Sequence, residues 1–136
     1  MLPKYWSTTW GSFVKTLFAF ALLALTGFAM PACAADNASM IGNYIVTGTE
    51  TDGSAYDGPG TLAITMDKSG ALNLNWDGGK YLGVGQVIGD KLAVATFDER
   101  RAVIMVMDVK SDGSVEGKWW KRTDAGTKGT EMWKKK

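Results

Sequence analysis

Carboxylates are the only side chains in this sequence numerous enough, and with a suitable pKa range, to act as general acids or bases. Histidine is absent and cysteine occurs once. Ser-His-Asp and Cys-His catalysis, zinc sites built on His or paired Cys, and an intramolecular disulfide are therefore excluded. Asp52, Asp67, Asp77, Asp90, Asp98, Glu99, Asp112 and Asp124 sit in turn-like clusters, where short acids bond to backbone amides and stay ionised. Glu131 shares a period-two face with Gly129 and Trp133. It is expected to point inward near the end of a barrel and to pair there with a Lys or Arg, an arrangement more often structural than catalytic. Neither Asp52-Gly53-Ser54 nor Asp112-Gly113-Ser114 has the repeated acidic spacing of a calcium loop. No glycine loop precedes a helix in the way that cradles phosphate. The sequence therefore reads as a non-enzyme, with no catalytic residue, metal ligand or cofactor assigned.

Aromatic residues offer binding instead. Tyr44, Trp76, Tyr81 and Trp119 are the candidate ligand-binding set. Trp76 and Trp119 fall on apolar faces, where ordinary core packing is the competing use. Trp120 alternates outward with Lys118 and Arg122, either stacked under those cations or free to anchor a partner. Trp120, Lys121 and Arg122 form the candidate partner-binding set. Lys118, Lys121, Arg122, Lys128 and Lys134-Lys135-Lys136 place seven cations in the last nineteen residues. This reads as a solvated end that blunts a strand edge, with attraction to an anionic surface as the alternative.

The elements that must position these groups begin after an N-terminal segment of different character. Lys4 and Lys15 are the only charges before Asp36, and an apolar stretch from Leu17 to Leu25 leads through Pro31 to Ala32-Cys33-Ala34-Ala35. Basic stretch, apolar stretch and A-x-A site together make residues 1–34 a secretory signal peptide with cleavage before Ala35. Two other uses stay open: an uncleaved membrane-associated segment, or lipidation at Cys33. Either would be the chain's only route to a membrane. The expected location is periplasmic or secreted.

The 136 residues carry 46% hydrophobic and 21% charged side chains and a formal charge of +1, the balance of one globular domain with no strong pull on nucleic acid. Residues 35–136, read as that domain, hold all 14 acids and 13 of the 15 bases, for a net charge of −1.

Within it, turn signals at 51–54, 67–70, 77–79, 89–90, 98–101, 111–114 and 124–126 separate eight segments. These are 41–50, 59–67, 71–77, 80–88, 91–97, 102–110, 114–122 and 128–134. Leu62, Ile64 and Met66 share one face; so do Leu72, Leu74 and Trp76, and Val115, Gly117 and Trp119. That alternation is the mark of half-buried strands. Eight hairpin-joined strands of similar length predict an all-β, antiparallel up-and-down barrel, closed so that no edge is left exposed. Such a barrel is wide enough for packed side chains or one small ligand. An open sheet folded into a sandwich is the competing architecture. Ala102–Met107 is apolar on both faces, so its outer face is expected to be covered by a loop or the chain start. An exposed stripe for a partner is the alternative.

Several stretches resemble a family of small exported bacterial proteins: Gly42–Gly48, Asp52–Gly58, Tyr81–Gly85, Leu92–Ala95, Asp112–Trp119 and Gly129-Thr130-Glu131. The resemblance covers essentially all of residues 35–136. The family has no assigned activity, and some members are labelled fibronectin-binding. A more distant resemblance, through Gly42-x-Tyr44 in place of a first-strand Gly-x-Trp, is to lipocalin and avidin barrels, and it implies a calycin-like architecture. It also implies that a basic residue, Lys134 or Lys135, covers the Tyr44 ring. The functional expectation is an exported binding module holding a small apolar or amphiphilic molecule, or an extracellular or periplasmic protein. The alternative is a surface-mediated macromolecule binder, such as an adhesin or a periplasmic enzyme inhibitor.

Overall fold

Three of the hairpins are closed by the same local device. Asp52, Asp67 and Asp112 each accept hydrogen bonds from the backbone N–H and the hydroxyl of the serine two residues on, at 2.6–2.9 Å. These bonds hold the carboxyls below their ordinary range, the serine hydroxyl contributing most. A short acid that mimics a backbone turn in this way stops one strand and starts the next.

The computed structural model describes residues 35–136 apart from positions 123 and 125. The expected signal peptide and the Cys33 alternatives lie outside the described residues. The strands are β1 (Gly42–Thr49), β2 (Gly60–Met66), β3 (Leu72–Trp76), β4 (Tyr81–Ile88), β5 (Lys91–Asp98), β6 (Arg101–Val109), β7 (Val115–Lys121) and β8 (Gly129–Lys135). Each expected segment contains or nearly coincides with one of them. Every neighbouring pair is antiparallel, and β8 pairs back onto β1 from Tyr44–Lys135 to Thr49–Thr130. The sheet is a closed, eight-stranded, up-and-down barrel, and the sandwich is ruled out.

Alternation sends one residue in two into the interior. Tyr44, Val46, Leu62, Ile64, Leu72, Leu74, Trp76, Leu92, Val94, Met105, Met107, Val115, Trp119 and Trp133 form most of the core. Met66, expected on the inner face beside Leu62 and Ile64, is instead exposed, because β2 ends there at the barrel rim.

The two barrel ends differ. At one end the 3-10 turn Ala38–Met40 plugs the opening with buried Met40. The Asn37 side chain ties this plug to the strands, donating to the Gly70 carbonyl and to Gln86, and accepting from the Val87 N–H. The Tyr44 hydroxyl donates to the Met40 carbonyl at 2.8 Å. Lys135, rather than Lys134, lies over the Tyr44 ring, its Nζ 5.9 Å from the centroid, and donates to the Ser39 carbonyl. The opposite end, where β1–β2, β3–β4, β5–β6 and β7–β8 are connected, carries no such plug among the described residues. It is the mouth.

The outer face of β6 departs from expectation. Ile104 and Val106 remain 48% and 44% exposed, and Leu82, Val84 and Phe97 on β4 and β5 are more exposed still. Register places Val84, Ala95, Ile104 and Trp120 in one row across four strands. The chain start, expected as a cover, is used for the plug from residue 35 onward.

Candidate functional site

Glu131 is carried inward by the β8 alternation that also buries Trp133. Its cross-strand neighbours are both glycines, Gly48 on β1 and Gly117 on β7. Their lack of side chains lets other strands approach closely. A Cβ on Gly117 would strike the Val106 carbonyl oxygen and the Met107 Cα, and one on Gly48 would strike the Thr130 carbonyl oxygen and the Tyr56 ring.

The carboxyl is held by neutral donors. Tyr56 donates its hydroxyl to Oε1 at 3.1 Å, and the Trp133 indole donates to Oε2 at 2.6 Å. The expected Lys or Arg partner is not what the fold supplies. Lys121, which lines the same cavity, is taken by Asp98 at 2.5 Å, and that pairing holds the Asp98 carboxyl low. Glu131 keeps a small contact with solvent through the cavity. Even so, burial raises its pKa, while the Trp133 and Tyr56 donors pull it back. Tyr56 is raised as well, by burial first and then by the Glu131 charge.

Above this pair lies a cavity of about 510 Å³ that opens at the mouth. Trp76, Tyr81 and Trp119 of the candidate ligand-binding set line it, with Val46, Tyr56, Val103 and Met105. Tyr44 does not. It sits at the plugged end, edge-on to Trp133 with centroids 6.3 Å apart. Trp76 also packs edge-on to Trp133, with centroids 5.9 Å apart. The indole N–H groups of Trp76 and Trp119 are buried and make no hydrogen bond. Trp76 lies close enough to Glu131 to help hold its carboxyl down, and Trp119 acts likewise on Tyr56. Tyr56 and Trp133 thus donate to Glu131, while the enclosed indole N–H groups of Trp76 and Trp119 stay without a hydrogen bond. Leaving a buried N–H without an acceptor costs about 1–3 kcal/mol.

The candidate partner-binding set is divided by the barrel wall. Trp120 faces outward, under the Nζ of Lys128 at 5.4 Å rather than under Lys118 or Arg122. Lys121 faces inward, lines the cavity and lies 5.6 Å from the Trp119 ring centroid. Adjacent strand residues point to opposite faces, so Trp120 and Lys121 cannot share one docking surface.

Tyr56, Glu50, Asp57, Lys80 and Asp98 also line the cavity and were not expected there. Tyr56 belongs to the β1–β2 connection, which a bridge between Thr49 and Ala55 and a bond from the Tyr56 N–H to the Gly48 carbonyl fold back over the mouth. The local sequence, rich in turn residues, carries no periodicity that signals this return. Among the described residues no cluster of three or more acidic or thiol groups is placed to hold a metal ion.

The raised Glu131 pKa makes stability depend on pH in a defined direction. Its stabilising contribution is complete below the unfolded pKa and is lost as pH rises through the folded value. The lowered Asp52, Asp67, Asp98, Asp108 and Asp112 act oppositely: their contribution is present above the unfolded pKa and is lost on acidification. Gln at 131 can still accept from Trp133 and donate to the Tyr56 oxygen, so Glu131→Gln should fold. Melting temperatures measured from about pH 4 to about pH 8 should fall on the alkaline side in the parent by on the order of 5 °C, and stay level in Glu131→Gln. An equal decline in both proteins would assign the effect to another group.

No protein-family model matches the chain, and no curated protein matches it.

Proposed function

We propose that this chain is an exported, non-catalytic binding protein that holds a small amphiphilic molecule in the mouth of its barrel. Export rests on the order of charges, apolar residues and small residues in the first 34 positions. Binding rests on one observation above the others: an open cavity of about 510 Å³ lined by Trp76, Tyr81 and Trp119 with Val46, Val103 and Met105, and reaching the Glu131 carboxyl. Pockets for small ligands are concave, mainly apolar or aromatic, and carry a few convergent polar groups. The apolar wall of Val46, Val103 and Met105 would take a hydrocarbon portion, and the polar side chains of the mouth would meet the polar end. Tyr81 stands nearer the rim, where it would contact the part of the ligand that enters last.

Native mass spectrometry of the protein isolated from the exported fraction tests this. Added mass is expected on the parent protein, and Val103→Phe, which fills the apolar wall of the cavity, should lose it. The added ring takes the space of the hydrocarbon portion, so a loss of roughly tenfold or more in affinity is expected. Bare mass on the parent, with no change in tryptophan fluorescence on adding a short-chain amphiphile, would defeat the reading.

The outer face supports a second reading, in which a macromolecule such as a host-surface protein or an enzyme to be inhibited docks on the wall. Its supporting observation is the exposed band of Leu82, Val84, Phe97, Ile104 and Val106, with Trp120 beside Ile104. Exposed apolar bands of this kind mark interaction sites more often than scattered single residues do. Ile104→Ser with Trp120→Ala should abolish capture of such a partner with little change in melting temperature.

A further inference from the structure

The cavity carries an imbalance of charge that bears on what enters it. Five of its lining residues are acids, Glu50, Asp57, Asp77, Asp98 and Glu131, against the two cations Lys80 and Lys121. Lys121 and Asp98 neutralise one another. The remaining cation, Lys80, sits over the outer aromatic of the mouth, with its Nζ 5.2 Å from the Tyr81 ring centroid. Both lysines of the cavity thus rest on cavity aromatics, Lys80 on Tyr81 and Lys121 on Trp119. Ring faces in this mouth already attract positive nitrogen. Below them, Glu131 is bound only by neutral donors.

We propose that the molecule held in the mouth is a cation: a quaternary or protonated amine, with its nitrogen drawn between the Tyr56–Tyr81–Trp119 rings and the Glu131 carboxylate. This deepens the small-ligand reading above and rests on it. The amine supplies the counter-charge that the fold withholds from Glu131. Anionic amphiphiles are disfavoured by the same surplus of carboxylates, because a confined, low-dielectric mouth strengthens like-charge repulsion.

Burial disfavours the ionised form of Glu131, and so does Asp77 from the β3–β4 turn. Glu50 and Asp57 on the β1–β2 connection and the Asp98–Lys121 and Lys80 groups complete its charged surroundings. A bound cation favours the ionised form, so cation affinity should rise with pH through the titration of Glu131.

Three probes separate the possibilities: butyrylcholine, its neutral isostere in which carbon replaces the quaternary nitrogen, and hexanoate. Binding is followed by tryptophan fluorescence and calorimetry on the full 35–136 domain. Butyrylcholine is expected to bind roughly tenfold or more tighter than the isostere, and hexanoate weakest. Glu131→Gln should erase that preference and its pH dependence. Lys80→Ala, which removes a competing rim cation, should strengthen butyrylcholine binding. The opposite signs of these two variants cannot both arise from loss of fold. Equal or tighter binding of the isostere or hexanoate, or a full preference retained in Glu131→Gln, would overturn the charge assignment and leave the cavity reading standing. Failure of all three probes to bind would overturn both.

Discussion

Replacing Trp133 with alanine is expected to remove about 3–5 kcal/mol of stability, the usual cost of emptying a fully buried tryptophan site. That is a large share of the roughly 5–15 kcal/mol available to a domain of this size. Trp133 is fully buried. It meets Tyr44 and Trp76 edge-on and donates to Glu131, so its removal opens a void between the plug and the cavity and strips the carboxyl of its shorter hydrogen bond. The melting temperature should drop by roughly 15 °C or more. Trp133→Phe separates the two losses. It keeps most of the ring contacts, should cost about 1–2 kcal/mol, and should push the Glu131 pKa further upward, seen as a steeper decline of stability with rising pH. If Trp133→Ala melts within a few degrees of the parent, the barrel core is not organised around this residue.

The second large effect is expected from the smallest change. Gly117→Ala adds one methyl group facing inward, and that methyl would meet the Val106 carbonyl oxygen, the Met107 Cα at 2.6 Å and the Met107 sulfur at 2.8 Å. The sulfur can swing aside, but the two backbone atoms cannot. The β6–β7 pair must part or twist, and overpacking of this kind costs about 1–3 kcal/mol or more. Chemical denaturation should show the loss, with hydrogen exchange speeding first at the amides of β6 and β7. Gly113→Ala provides contrast, because no atom lies within 4 Å of the site and only its φ of +82° resists substitution. Its cost should be confined to the β6–β7 turn. Equal protection of β6 and β7 in the parent and Gly117→Ala would show that the ladder absorbs the methyl elsewhere.

The barrel was legible in the sequence because each of its devices is local. Asp–x–Ser turns close hairpins within a few residues, and alternation in Leu72–Trp76 or Val115–Trp119 states which side is inward. Closure followed from the number and evenness of the strands, and the inward Glu131 from the same period. The partners of Glu131 were not legible. They depend on Tyr56, which reaches the site only because an irregular connection folds back over the mouth, and on Lys121 being diverted to Asp98 on a strand far away in sequence. Register decided these matters, and register between β5 and β7 is set by the β6 strand between them. The division of Trp120 from Lys121 was available from alternation alone. Treating neighbouring residues as one surface overlooked the wall that separates them. The exposed outer face of β6 has a related cause: among the described residues, those before β1 plug the barrel end instead of lying over that face.

That plug sets an orientation. The last strand ends on the side away from the opening. A tag, linker or solid support joined after Lys136 would therefore leave the entrance turned to free solution, and protein immobilised there should take up a ligand as readily as protein in suspension.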